Sequence, residues 1–90
     1  MIEDWDVRVA QALRGIRPAA YRLEGSGDDV RLTLVMRASP NGRRNAADRI
    51  VGALGTRGLG LAVAPGTDAV TWLAEHVEPV RIIALPAPGE

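Results

Sequence analysis

From Ile2 to Ile16 the apolar residues Ile2, Trp5, Val9, Ala12, Leu13 and Ile16 recur at helical spacing and fall within an arc of roughly 100°, which predicts an amphipathic helix. Glu3, Asp4 and Asp6 lie in its first turns, where negative charge complements the helix dipole. Arg14 and Arg17 lie near its close and Pro18 ends it. The period then changes to two. Tyr21 and Leu23 alternate with Arg22 and Glu24, and Val30, Leu32, Leu34 and Met36 alternate with Arg31, Thr33, Val35 and Arg37, around the turn-forming Gly25-Ser26-Gly27-Asp28-Asp29. This pattern predicts a β-hairpin with one apolar face on the core and Arg22, Glu24 and Arg31 available for cross-strand charge pairing on the other.

Ser39-Pro40 reads as an N-cap followed by proline at the first helical position. The helix it opens runs through Ala46, Ala47, Ile50, Val51 and Leu54 to a stop at Gly55. Leu59, Leu61 and Val63 then alternate with Gly60, Ala62 and Ala64 as a strand whose second face is small. Strand, helix and strand together form a crossover, and such connections are right-handed. Thr67 to Val77 fits two patterns. As a helix capped by Thr67 or Asp68 it buries Ala69, Val70, Leu73, Ala74 and Val77 and leaves Trp72 at the edge beside His76; as a strand it buries Val70, Trp72 and Ala74 and exposes Leu73. The spacing favours the helix. Val80 to Leu85 is almost continuously apolar, which predicts an interior strand covered on both faces.

The fold expected is α+β: a two-layer α/β sandwich of order α-β-β-α-β-α-β with one mixed sheet of about four strands, the alternative being α-β-β-α-β-β-β. A single domain covers residues 1–85, and residues 86–90 form a C-terminal tail. There is no internal repeat, low-complexity tract or linker.

Composition narrows the chemistry more than the fold. Ninety residues support one small core, and with no Phe and 3% aromatics that core is built from Val, Leu, Ile and Ala. A core with so few large anchors makes oligomerisation a plausible supplement. All eleven basic residues are Arg. Without Lys there is no Schiff base and no P-loop ammonium. Without Cys there is no disulfide, thiolate nucleophile or cysteine-ligated metal, in keeping with a reducing compartment. The acidic N-terminus and the lack of a long apolar run point to a cytoplasmic protein with no membrane partner.

Few residues offer reaction chemistry. His76 is the only histidine, and the only serines are Ser26 in the glycine-rich turn and Ser39 at the predicted helix cap, so no nucleophile–base pair is evident. One His without Cys does not make a common zinc site. Asp28-Asp29 lacks the spacing of a calcium loop and reads as turn chemistry. Glu75 and Glu78 read as a solvated helix end. No catalytic residue, metal site or cofactor is therefore expected, and the chain is read as a non-enzyme.

The charge pattern is more informative than any single residue. Residues 31–58 hold six Arg against one Asp, while the flanking segments carry net charges of −2 and −3, so a chain of zero net charge is polarised along its length. Arg37, Arg43, Arg44, Arg49 and Arg57 are thus candidates for holding an anion, a nucleic acid or an acidic partner. On a helical wheel Arg44 and Arg49 flank opposite edges of the apolar face and Arg43 lies at its N-terminal end, which does not form one stripe. Pairing with the acidic segments, within a subunit or across a dimer, accounts for the same charges. Gly55-Thr56-Arg57-Gly58, after an α-β-β-α order, resembles the GxxG loop of type II KH domains, which implies RNA binding. A KH loop leads directly into a second helix, however, and here the strand pattern from Leu59 follows.

These readings point to a non-catalytic protein-interaction or regulatory module that self-associates or docks on a larger assembly, with Trp5 and Trp72 as candidate interface anchors. RNA or polyanion binding through the Arg-rich segment is the first alternative. Small-ligand binding by a regulatory domain is the second.

Overall fold

The computed structural model describes residues 5–25, 29–37 and 39–85, apart from the side chains of Trp5 and Asp6. Helix α1 spans Trp5–Ala12 and is prolonged by turns in which the Leu13 N–H donates to the Val9 carbonyl and the Ile16 N–H to the Leu13 carbonyl. Pro18–Ala20 then forms one turn of 3-10 helix. The expected helix to Ile16 is therefore shorter in its regular part, although Val9, Ala12 and Leu13 are buried on the face the spacing selects. Strands β1 (Tyr21–Glu24) and β2 (Arg31–Leu34) pair antiparallel, with Tyr21 opposite Leu34 and Leu23 opposite Leu32.

Helix α2 runs over Pro40–Gly55. The Ser39 hydroxyl accepts the Gly42 N–H at 3.2 Å, so the predicted cap is made, and proline takes a position where no N–H is needed. Ala47, Ile50 and Leu54 form its buried stripe. At its end the N–H groups of Thr56, Arg57 and Gly58 return to the carbonyls of Gly52, Leu54 and Gly55, and Gly58 adopts φ +72°, a left-handed conformation that turns the chain into β3 (Leu59–Leu61). Residues 67–77 take the helical alternative, but α3 spans only Ala69–Glu75, so Val77, which the helical reading buried, lies beyond its end and is exposed. Asp68 decides it locally, because its carboxylate accepts both the backbone N–H and the hydroxyl of Thr71, at 3.0 and 2.7 Å. Strand β4 (Val80–Ala84) closes the order α-β-β-α-β-α-β.

The sheet order is β1-β2-β4-β3 and every adjacent pair is antiparallel. This corrects the expected mixed sheet. β2 and β3 do run in the same direction, as a strand-helix-strand crossover requires, but α2 carries the chain across two strand spacings, roughly 10 Å. The last strand fills the gap, so no parallel ladder forms. β4 is interior within the sheet, as its apolar run suggests, yet it is covered on one face only: Val80 and Ile82 are buried while Arg81 is exposed.

All three helices lie on that single face. Val9, Leu13, Ala47, Ile50, Leu54 and Leu73 meet Leu32, Leu34, Leu59, Leu61, Val80 and Ile82 in one aliphatic cluster. Each fully buried side chain of this kind contributes roughly 1.5–3 kcal/mol. Among the described residues no element lies over the other face of the sheet.

Candidate functional site

Arg43, in the first turns of α2, is half-buried against the end of α3. Its Nε donates to the Ala74 carbonyl at 2.8 Å, its Nη1 to the Met36 carbonyl at 2.8 Å and its Nη2 to the His76 carbonyl at 3.0 Å. Three of its five donors thus hold backbone oxygens from the end of α3 and the strand exit after β2. A planar fork suits this task, since the carbonyls of a helix end and of an extended strand converge from different directions. Arg43 is a clamp between segments, with three of its donors committed to backbone carbonyls.

The other candidate arginines diverge. Arg44 reaches Thr71 Oγ1 at 3.4 Å and lines a polar cleft with Asp48 and Asp68, on the α3 side of α2. Arg49 lies on the opposite side, at a cleft formed with the turn after α1. Arg37 lines a third cleft with Val35 and Val77. Arg57 is exposed in the loop after α2, where its carbonyl accepts Arg8 Nη2 at 2.8 Å and so ties α1 to that loop. The wheel reading, with Arg44 and Arg49 on opposite edges, agrees with this placement. The five do not form one surface. The loop at Gly55-Thr56-Arg57-Gly58 leads into β3, not into the helix that the KH arrangement requires.

The Ser39 hydroxyl and the His76 imidazole are likewise committed locally. Ser39 caps α2. His76 stacks on Trp72, ring centroids 4.3 Å apart and 7° from parallel, and its Nδ1 lies 2.7 Å from the Trp72 carbonyl oxygen. Trp72 is half-buried against the core, while the Trp5 side chain lies outside the described residues. Ser26 and Asp28 also lie outside them. Asp29 pairs with Arg31 at 3.1 Å and lies 3.9 Å from Arg81, so it joins two strands electrostatically. Among the described residues no group of three or more His, Asp or Glu is placed to hold a metal ion. The Asp68 carboxyl is held below its ordinary value of 3.8 by the Thr71 hydroxyl, then by the Thr71 N–H and the nearby Arg44.

Sequence reading placed Arg22, Glu24 and Arg31 on the outer face of the hairpin but did not extend that face across the whole sheet. Strand alternation and the register place Arg22 and Glu24 of β1, Arg31 and Thr33 of β2, Arg81 and Ile83 of β4, and Gly60 of β3 on it. Arg31 and Arg81 are direct cross-strand partners, and Asp29 offsets their repulsion. Aliphatic side chains flank this charged band. Leu85 lies against Gly60, where an added Cβ would come within 2.6 Å of its Cδ2, and Val35 and Val77 share the cleft at the other end. Val35, Leu85 and Val77 are 44%, 46% and 73% exposed. The signal available in sequence was Arg81 within an otherwise apolar strand, which marks one face as uncovered.

The fold and its surfaces define a two-layer α+β sandwich whose antiparallel sheet, among the described residues, is covered by helices on one face. No family model matches the chain, and neither a curated protein nor a solved structure shows significant similarity to it.

Proposed function

We propose that this chain is a non-catalytic interaction module that self-associates by stacking the open face of its sheet on that of a second copy. The observation that supports the reading is the uncovered face itself, with exposed aliphatic side chains at both ends of a band of mixed charge. Its size is that of a small, weak interface. Four strands at about 4.8 Å and the six steps of about 3.4 Å from Asp29 to Val35 outline roughly 400 Å² before Val77, Leu85 and the relief of the side chains are added. A stable dimer of standard size needs about 600–1,000 Å² on each partner.

Chemistry also favours a second copy over a polyanion. The face carries Arg22, Arg31 and Arg81 with Glu24 and Asp29, and mixed signs of this kind pair across a two-fold axis, where residue i meets j and j meets i. Two stacked sheets at about 10 Å would bring the aliphatic ends into contact. The non-enzymatic reading draws support from the local commitments of Ser39 and His76. The absence of cysteine suits a cytoplasmic setting.

Sedimentation velocity from low to high micromolar protein tests the proposal. A shift from monomer to dimer is expected, with Val35→Glu and Leu85→Asp each holding the chain monomeric at unchanged far-UV circular dichroism. A monomer at every concentration, or variants that dimerise as the parent does, would overturn it.

A further inference from the structure

The turn after α1 and the N-terminal half of α2 form a cleft of about 440 Å³. Its floor is apolar: Ile16, Met36 and Ala46 are half-buried and Ala20 is buried. Gly15 lies at its edge with open space where a Cβ would stand, so the cleft is not filled from that side. Arg17 and Arg49, both exposed, line it together with Asn45. Neither side chain has an ion-pair or hydrogen-bond partner among the described residues, in contrast to those of Arg43, Arg44, Arg31 and Arg81.

We infer that this cleft binds a small amphipathic acid, a molecule with a compact apolar body and one carboxylate or phosphate head. The inference does not depend on self-association. The volume falls within the range of small-molecule sites, about 300–1,000 Å³, and the design is the usual one of an apolar lining with a few polar groups that fix orientation. Arg17 comes from the turn before Pro18 and Arg49 from the middle of α2, so one head group can take donors from two independent segments. An apolar body without a charge would leave both guanidinium groups unused; an anion without an apolar body would leave the floor exposed.

Amide chemical shifts of the full chain under titration separate these cases, with 4-phenylbutyrate, 4-phenylbutan-1-ol and inorganic phosphate as probes. Saturable shifts centred on Ile16, Ala20, Asn45 and Ala46 are expected for the carboxylate, with the alcohol and phosphate each at least tenfold weaker. In the doubly substituted Arg17→Gln/Arg49→Gln chain the carboxylate should weaken by tenfold or more while the alcohol is unchanged. Equal binding of alcohol and carboxylate, equal binding of phosphate and carboxylate, an unaffected double variant, or no saturable shift would each overturn the inference. Because both arginines are exposed, the variant should retain the parent spectrum elsewhere, and the three-probe comparison needs no variant.

Discussion

Replacing Arg43 by Met retains the aliphatic stem and removes all three guanidinium bonds to the carbonyls of Ala74, Met36 and His76. A hydrogen bond to a charged group contributes about 1.5–3 kcal/mol net, and the lower end applies to a half-buried clamp, so the three together amount to roughly 4–5 kcal/mol. Releasing the arginine's conformational freedom returns about 1–2 kcal/mol. The expected net loss is therefore about 3 kcal/mol, against roughly 5–13 kcal/mol for a domain of this size. At about 4–8 °C per kcal/mol, the thermal midpoint should fall by about 12–24 °C. Thermal unfolding followed by circular dichroism, with urea titration as a check, measures the change. Arg43→Lys should fall between parent and Met, because one ammonium does not span three carbonyls on separate segments. A midpoint for Arg43→Met within about 3 °C of the parent, or full retention with Lys, would refute the clamp. The same result bears on anion binding: any loss of polyanion affinity in an Arg43 variant should track unfolding.

Further outcomes follow from local geometry. Asp68 has a lower pKa folded than unfolded, so its stabilisation is present above the unfolded value, near 3.8, and disappears as pH falls through the folded one. The gap in thermal midpoint between the parent and Asp68→Ala should accordingly be present at neutral pH and shrink in acid; a gap independent of pH would count against the cap. Ser39→Ala removes the acceptor for the Gly42 N–H and should cost about 1 kcal/mol by denaturant unfolding, most of it restored by Ser39→Asp. Gly25→Ala should be far more damaging, because Gly25 has φ +91° and an added Cβ would collide with the Asp29 carbonyl oxygen. A loss above about 2 kcal/mol is expected, and a neutral effect would mean that the hairpin turn takes another path.

Local signals made most of the architecture legible. The Ser39-Pro40 cap, the two-residue period of 21–36 and the stripe Ala47, Ile50 and Leu54 each depend on neighbours within a turn or a hairpin, and each element stands where the pattern puts it. Over 67–77 apolar spacing favoured the helix, and the structure fixes it locally through Asp68, whose carboxylate accepts both the N–H and the hydroxyl of Thr71 three residues on. Strand order was not local. Val80–Ala84 reads as interior, but nothing in that run says which neighbours it separates, and its position between β2 and β3 removes the parallel pairing that a crossover suggests. Arg43 illustrates the same limit for the candidate site. Its charge is visible in sequence, whereas its partners at Ala74 and His76 come from more than thirty residues away. Arg17, absent from the Arg-rich segment, shares a cleft with Arg49 only because the turn at Pro18 folds beside α2.

The insertion of β4 between β2 and β3 has a kinetic consequence. Neither of those strands can complete its ladder with the other, so a nascent chain that has made everything up to α3 still holds two unsatisfied edges and half a hydrophobic floor. Productive zippering waits for Val80–Ala84, whose contacts close loops of about twenty to fifty residues, and domains dominated by such distant pairings fold slowly. Until that segment arrives, the gap is a docking slot for any extended peptide of similar sequence, including the equivalent strand of another molecule.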